Sequence, residues 1–218
     1  MFCREEIEKI LEQARRMDPQ FEINGVDSHQ YRLNPPVDPA FVRAAEEEYH
    51  FRFPEDYVQF ITEVGDGGAG PGYGLYAFGF YQTEPKSSRD AKIRDSYLRG
   101  LSREPRLLPL EPDDLKYSCI SEDEYKQNPE KYFVTGNFNW DNDTPYGFFH
   151  LGTYGCACDY GLITAGGRRG QVFRYDVEGG FELEACSFQA FYQEWLDAVS
   201  DTERFQKEVD EWRRIRNR

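Results

Sequence analysis

Positive charge is scarce in this sequence relative to negative. Its 218 residues carry 26 Lys and Arg against 40 Asp and Glu, a formal net charge of −14. Contact with nucleic-acid phosphates needs a basic surface, so direct nucleic-acid binding is not expected, and neither is attachment to an anionic membrane. Cysteine is sparse and odd in number: Cys3, Cys119, Cys156, Cys158 and Cys186 do not have the spacing of a disulfide framework. No apolar run approaches the roughly 20 residues of a membrane-spanning helix. The opening Met1-Phe2-Cys3-Arg4-Glu5-Glu6 is polar at once, unlike a signal peptide. Together these absences predict a reducing, cytoplasmic setting.

Aromatic residues are abundant instead. Fifteen Tyr, seventeen Phe and three Trp bring the aromatic fraction to 16%, enough to build a large core. Glu5 to Met17 reads as an amphipathic helix with Ile7, Ile10, Leu11 and Ala14 on one face. Asp38-Pro39 signals a second helix, with Glu46-Glu47-Glu48 as its solvated face. A third helix begins at Pro54, carries Tyr57, Phe60, Ile61 and Val64 inward, and stops at Gly65. Tyr73 to Tyr81 reads as strand, and Glu84 to Asp114 as a charged surface excursion. A short helix is expected over Ser121 to Asn128. Short β runs follow at Tyr132–Val134, Gly147–Leu151, Gly161–Thr164, Gln171–Val177 and Phe181–Ala185, the last two joined by a Glu178-Gly179-Gly180 turn. Phe188, Phe191, Tyr192, Trp195, Leu196 and Val199 mark a strongly amphipathic closing helix capped by Ser187, with a charged helical tail beyond it. Helices first, strands in the middle and a helix last predict an α+β fold with a largely antiparallel sheet.

The glycines of Gly65 to Gly74 invite a phosphate-cradle reading, which the order of elements opposes. A cradle lies between a strand and a helix N-terminus, whereas this run follows a helix and precedes a strand. No Lys or Arg lies between Val64 and Lys86, and Asp66 adds negative charge. The run is expected to be a structural joint, with Gly65 at positive φ.

The stretches "FPEDYVQFITEVGDGGAGPGYGLY" (Phe53 to Tyr76), "FHLGTYGCACDYGLITAGGRRGQVFRY" (Phe149 to Tyr175) and "SFQAFYQEWL" (Ser187 to Leu196) resemble the SUKH superfamily of Smi/Knr-type domains. The resemblance covers roughly residues 36–199. It implies a single α+β domain spanning about 36–200, preceded by a helix and connector over 1–35 and followed by a charged helical extension over 201–218. It also implies a non-enzymatic binding role. Bacterial members are commonly immunity proteins that neutralise toxins, often nucleases, and fungal members are regulatory interaction modules.

On this reading the partner is a protein, most simply a basic toxin domain, and no cofactor or metal is required. The expected partner-binding residues are acids beside aromatics at Gly-rich turns: Asp66 with Tyr73 and Tyr76, Asp141 with Asp143, and Asp159 with Tyr154 and Tyr160. Trp140 and Tyr146 share that surroundings. A competing reading makes His150, Cys156 and Asp159 a hydrolase or metal site. Against it, Cys156-Ala157-Cys158 lacks the Cys-x2-4-Cys spacing and the second ligand pair of a zinc site, and on a strand both thiols would share one face as core. Asn139-Trp140-Asp141-Asn142-Asp143 lacks the glycine and the distal Glu of a calcium loop and reads as a turn.

Overall fold

The computed structural model describes residues 2–111, 121–135, 138–139, 144–176 and 180–216. Six strands form one antiparallel sheet in the order β1 (Leu107–Pro109), β2 (Tyr132–Thr135), β8 (Gly180–Ala185), β7 (Val172–Asp176), β6 (Cys158–Ile163) and β5 (Phe148–Gly155). β3 (Phe138–Asn139) and β4 (Thr144–Pro145) form a separate two-stranded ribbon. Helices α1 (Arg4–Met17), α3 (Pro39–Tyr49), α4 (Glu55–Gln59), α7 (Phe188–Ser200) and α8 (Thr202–Arg216) surround the main core, and α6 (Glu122–Gln127) leads into β2. The protein is a single-domain α+β structure.

Alternation along each strand divides the sheet into two buried faces. On one face Phe149, Leu151, Tyr160, Leu162 and Val172 join α1, α4, α7 and α8 in the main core. That core includes Ile7 and Leu11 of α1 and Phe205 and Val209 of α8, so both ends of the chain contribute to it. On the other face Phe133, Phe148, Ile163, Phe173, Tyr175 and Phe181 form a second apolar cluster. Helix ends follow the capping residues: Asp38 accepts the Ala40 N–H at 2.7 Å, and Ser187 accepts the Ala190 N–H at 3.0 Å.

Several sequence expectations need correction. α4 passes into a π turn over Phe60–Val64, closed by the Gly65 N–H donating to Phe60 O at 2.9 Å. Gly65 has φ −177°, which is extended backbone; the left-handed conformations fall later, at Gly67, Gly68, Gly72 and Gly74. Residues 73–81 are not a strand of the sheet. Leu75 bridges to Gly68, Gly68 bridges to Leu33, and Phe78–Gln82 forms a 3-10 turn. Within the charged stretch after Glu84, α5 (Ser88–Gly100) starts at the Ser87 cap and is followed by edge strand β1, while residues 112–114 lie outside the described residues. Within Glu46-Glu47-Glu48, Glu46 is buried and accepts the Phe53 N–H at 2.8 Å. Of the Glu178-Gly179-Gly180 turn, the first two residues lie outside the described residues; β7 and β8 pair antiparallel as the hairpin expectation requires.

The glycine run lies along the outer edge of β5. Tyr73 N–H donates to Thr153 O at 3.0 Å and Tyr76 N–H to Leu151 O at 2.7 Å. The Tyr97 hydroxyl of α5 accepts the His150 N–H at 2.8 Å. An exposed strand edge is a template for unwanted pairing, and these contacts cover it.

Candidate functional site

Asp66 opens the glycine run, and its carboxylate points inward. It is buried and accepts the N–H groups of Phe78 at 2.7 Å and Gly79 at 2.6 Å. Burial pushes its pKa up, while the two amide hydrogen bonds pull the other way. The expectation that Asp66 presents charge to a partner is corrected: its charge is used inside the fold to start the 3-10 turn. That turn leaves Phe80 68% exposed while Tyr81 packs on Tyr97 with ring centroids 5.9 Å apart.

Asp159 and Tyr76 come together at His150. Asp159 stands opposite Thr153 in the β5–β6 ladder, and its Oδ2 lies 3.3 Å from His150 Nε2. The approach has ion-pair distance without hydrogen-bond alignment, and the imidazole nitrogen has no other partner among the described residues. Burial pushes the Asp159 carboxyl up, but His150 and the Thr153 hydroxyl outweigh it and hold its pKa below the ordinary carboxylate value. Asp159 is therefore an anion at neutral pH. The Tyr76 ring stands edge-on to His150 at 5.0 Å, is 46% exposed, and has its phenol pKa raised by burial and by the Asp159 charge.

Tyr160, although next to Asp159, points to the opposite face and is buried, touching Phe191 of α7 with centroids 4.9 Å apart. Consecutive strand residues cannot serve one patch. Tyr154 shares that opposite face, 48% exposed, meeting Tyr160 edge-on at 6.0 Å and the Arg174 guanidinium at 5.3 Å. Arg174 is itself held by Glu182 and, at 3.2 Å, by Glu184. Tyr73 is half-buried, its ring beside Gly155. Tyr146 lies under the Arg103 guanidinium at 4.4 Å. Asp141, Asp143 and Trp140 lie outside the described residues.

Sequence reading missed a groove. The 3-10 turn and α5 enclose a cavity of about 490 Å³ lined by Phe80, Tyr81, Pro85, Ile93, Tyr97 and His150. The signal was the aromatic cluster Phe78-Gly79-Phe80-Tyr81, whose buried Phe78 and exposed Phe80 were masked by its strand-like composition. The groove ends at His150, where Tyr76 and Asp159 stand.

The hydrolase reading gathers only in part. His150 and Asp159 meet, but Cys156 lies in the hairpin turn, six residues beyond His150 along the chain. Cys156 and Ala157 have φ +51° and +62°, the left-handed pair of a tight hairpin turn. Cys156 is exposed and Cys158 half-buried, so the expectation that both are core thiols is corrected. Among the described residues, no three His, Cys, Asp or Glu side chains gather as a metal site, and no helix is long and apolar enough to cross a membrane.

Beneath the glycine run, His29 adds a pH dependence. Its Nδ1 accepts the Tyr31 N–H at 3.1 Å, so the ring proton is on Nε2, which is buried without a partner among the described residues. Tyr31 and Trp195 meet the ring edge-on, and Gly74 backs it. Burial lowers its pKa to about 4, against a small opposing effect of Asp27. A depressed folded-state pKa gives stability that is present above the ordinary histidine value and is lost as pH falls through the folded value. Unfolding free energy should fall by about 3 kcal/mol from this group between roughly pH 6.5 and 4. Urea unfolding across that window should show the slope in the native protein and lose it in His29→Asn, whose amide oxygen can still accept the Tyr31 N–H. An equal slope in both would remove His29 as the cause.

A family model described as SMI1 / KNR4 family (SUKH-1) matches residues 36–194. No curated protein and no solved structure gives a match.

Proposed function

Because the chain belongs to the SMI1/KNR4 family (SUKH-1), we propose that it is a non-enzymatic binding protein that neutralises a toxin, of a kind often a nuclease, by covering its basic working face. The family acts through protein–protein interaction. The observation that supports the occlusion reading is a set of exposed aromatics, Tyr76, Phe80 and Tyr154, on a molecule of net charge −14. Exposed aromatics supply anchoring area at an interface, and the surrounding charge draws a basic partner into fast encounter. Asp159 is the acid best placed to act with Tyr76.

Capture from cells of the protein's own source, followed by expression of each captured protein with and without this chain, tests the proposal. The expected partner is a basic protein that arrests growth alone and is tolerated when the chain is present. Asp159→Lys should slow association about tenfold at low salt and flatten its salt dependence. A captured partner harmless by itself would replace the toxin reading with a regulatory interaction module of the same fold. Growth arrest that the chain fails to relieve would sink the proposal.

A further inference from the structure

The groove between the 3-10 turn and α5 reaches His150, whose imidazole lies 3.3 Å from the Asp159 carboxylate, and we infer that it receives one segment of the protein partner: an apolar side chain in the groove and an adjoining Lys or Arg at the Tyr76–His150–Asp159 corner. This names the partner chemistry and rests on the binding reading above.

The apolar half follows from the lining. A cavity of about 490 Å³ bounded by Phe80, Tyr81, Pro85, Ile93 and Tyr97 is the size and character of a pocket for one large side chain. Phe80 forms a wall while 68% exposed, and Asp66 fixes the turn that carries it, so the pocket exists before a partner arrives.

The cationic half follows from charge complementarity. Among the charged lining residues, Glu84 and Asp90 equal Lys86 and Arg94 in number. Arg94 donates to the carbonyls of Tyr81 and Thr83 at 3.1 and 2.7 Å, and Asp90 accepts the Ser87 hydroxyl at 2.8 Å. Beside His150, Asp159 meets, among the described residues, the imidazole of His150 and the hydroxyl of Thr153, with Tyr76 and Tyr175 next to it. A carboxylate flanked by aromatic rings, with no Lys or Arg paired to it among the described residues, is suited to a guanidinium or ammonium from outside.

The test uses the full chain, isotopically labelled, titrated with two probes: N-acetyl-Trp-Arg-amide and N-acetyl-Trp-Glu-amide. Saturable NMR shifts are expected at Phe80, Tyr81, Ile93, Tyr97 and His150, with the Arg probe about threefold tighter, the scale of one partly exposed ion pair. Asp159→Asn should erase that preference and leave the common affinity. Phe80→Ala, a change at an exposed position, should weaken both probes. Equal affinities in the native protein, absent saturation, or shifts elsewhere would overturn the inference. If the probes fail while a captured toxin still binds Phe80→Ala and Asp159→Asn, the groove assignment falls and the toxin reading stands. If the probes bind as expected but no toxin is captured, the opposite holds.

Discussion

Gly152→Val should cost about 3 to 5 kcal/mol of stability, a large part of what holds a domain of this size together. Gly152 sits in β5 where the glycine run crosses the strand edge, and a Cβ built there would overlap the carbonyl oxygen of Gly74. Its φ lies outside the left-handed range, so the cost is one of space alone. Gly74 cannot yield, since it is itself at φ +89° and backed by His29, whose Cδ2 would stand 2.9 Å from an added Cβ. Relief would require lifting residues 73–76 off β5, which breaks the Tyr73–Thr153 and Tyr76–Leu151 hydrogen bonds and exposes the edge. The control is Gly167→Ala, where an added Cβ meets nothing within 4 Å. Urea unfolding of both variants reads the outcome, and a Gly152→Val protein within 1 kcal/mol of native, on the order of an ordinary surface change, would refute the crossing.

Asp66→Ala should be nearly as damaging, losing about 3 to 5 kcal/mol. The carboxylate accepts two backbone N–H groups, and hydrogen bonds to a charged group are worth roughly 1.5 to 3 kcal/mol each when one partner is stranded. Phe78 N–H, buried, would be left without its acceptor. The consequence is functional as well as structural, because those two amides begin the turn that holds Phe80 and Tyr81 at the groove. Gly79→Ala should fail in the same way, since its Cβ would stand 2.6 Å from Asp66 Oδ2. Unfolding free energy together with tyrosine fluorescence of the groove provides the measurement. If Asp66→Ala keeps native stability and an intact groove, the carboxylate has no part in shaping the site.

Charge and spacing carried much of this protein in plain view. The stripes of α1 and α7 bury as their periodicity requires, because a helix face repeats every three to four residues and needs only local order to be read. Each β run expected between Tyr132 and Ala185 coincides with a strand of the main sheet, although β5 and β6 run longer than expected, to Gly155 and from Cys158, and the β3–β4 ribbon was not read. The Phe78–Gln82 turn and α5 were hidden for opposite reasons. The first has the aromatic composition of a strand but gives up pairing because Asp66, twelve residues earlier, takes its first amides. The second is weakly amphipathic and charged, and only its last turn is deeply buried, at Tyr97, Leu98 and Gly100.

The candidate site divides along the same line. Acid and aromatic side chains near the Gly-rich turns were legible as residue types, and the SUKH resemblance and the α+β class followed from patterns spread over the chain. Direction was not legible. One carboxylate, Asp66, is buried and a second, Asp159, stays partly exposed beside His150, although both sit among glycines and tyrosines. Sequence alone determined the strongly amphipathic helices, the main strands of the second half, the acidic balance and the family, because these depend on composition and short-range periodicity. Only the tertiary structure decided which acid meets solvent and that Tyr76, His150 and Asp159 share a corner, because burial and adjacency are set by distant segments crossing at close range.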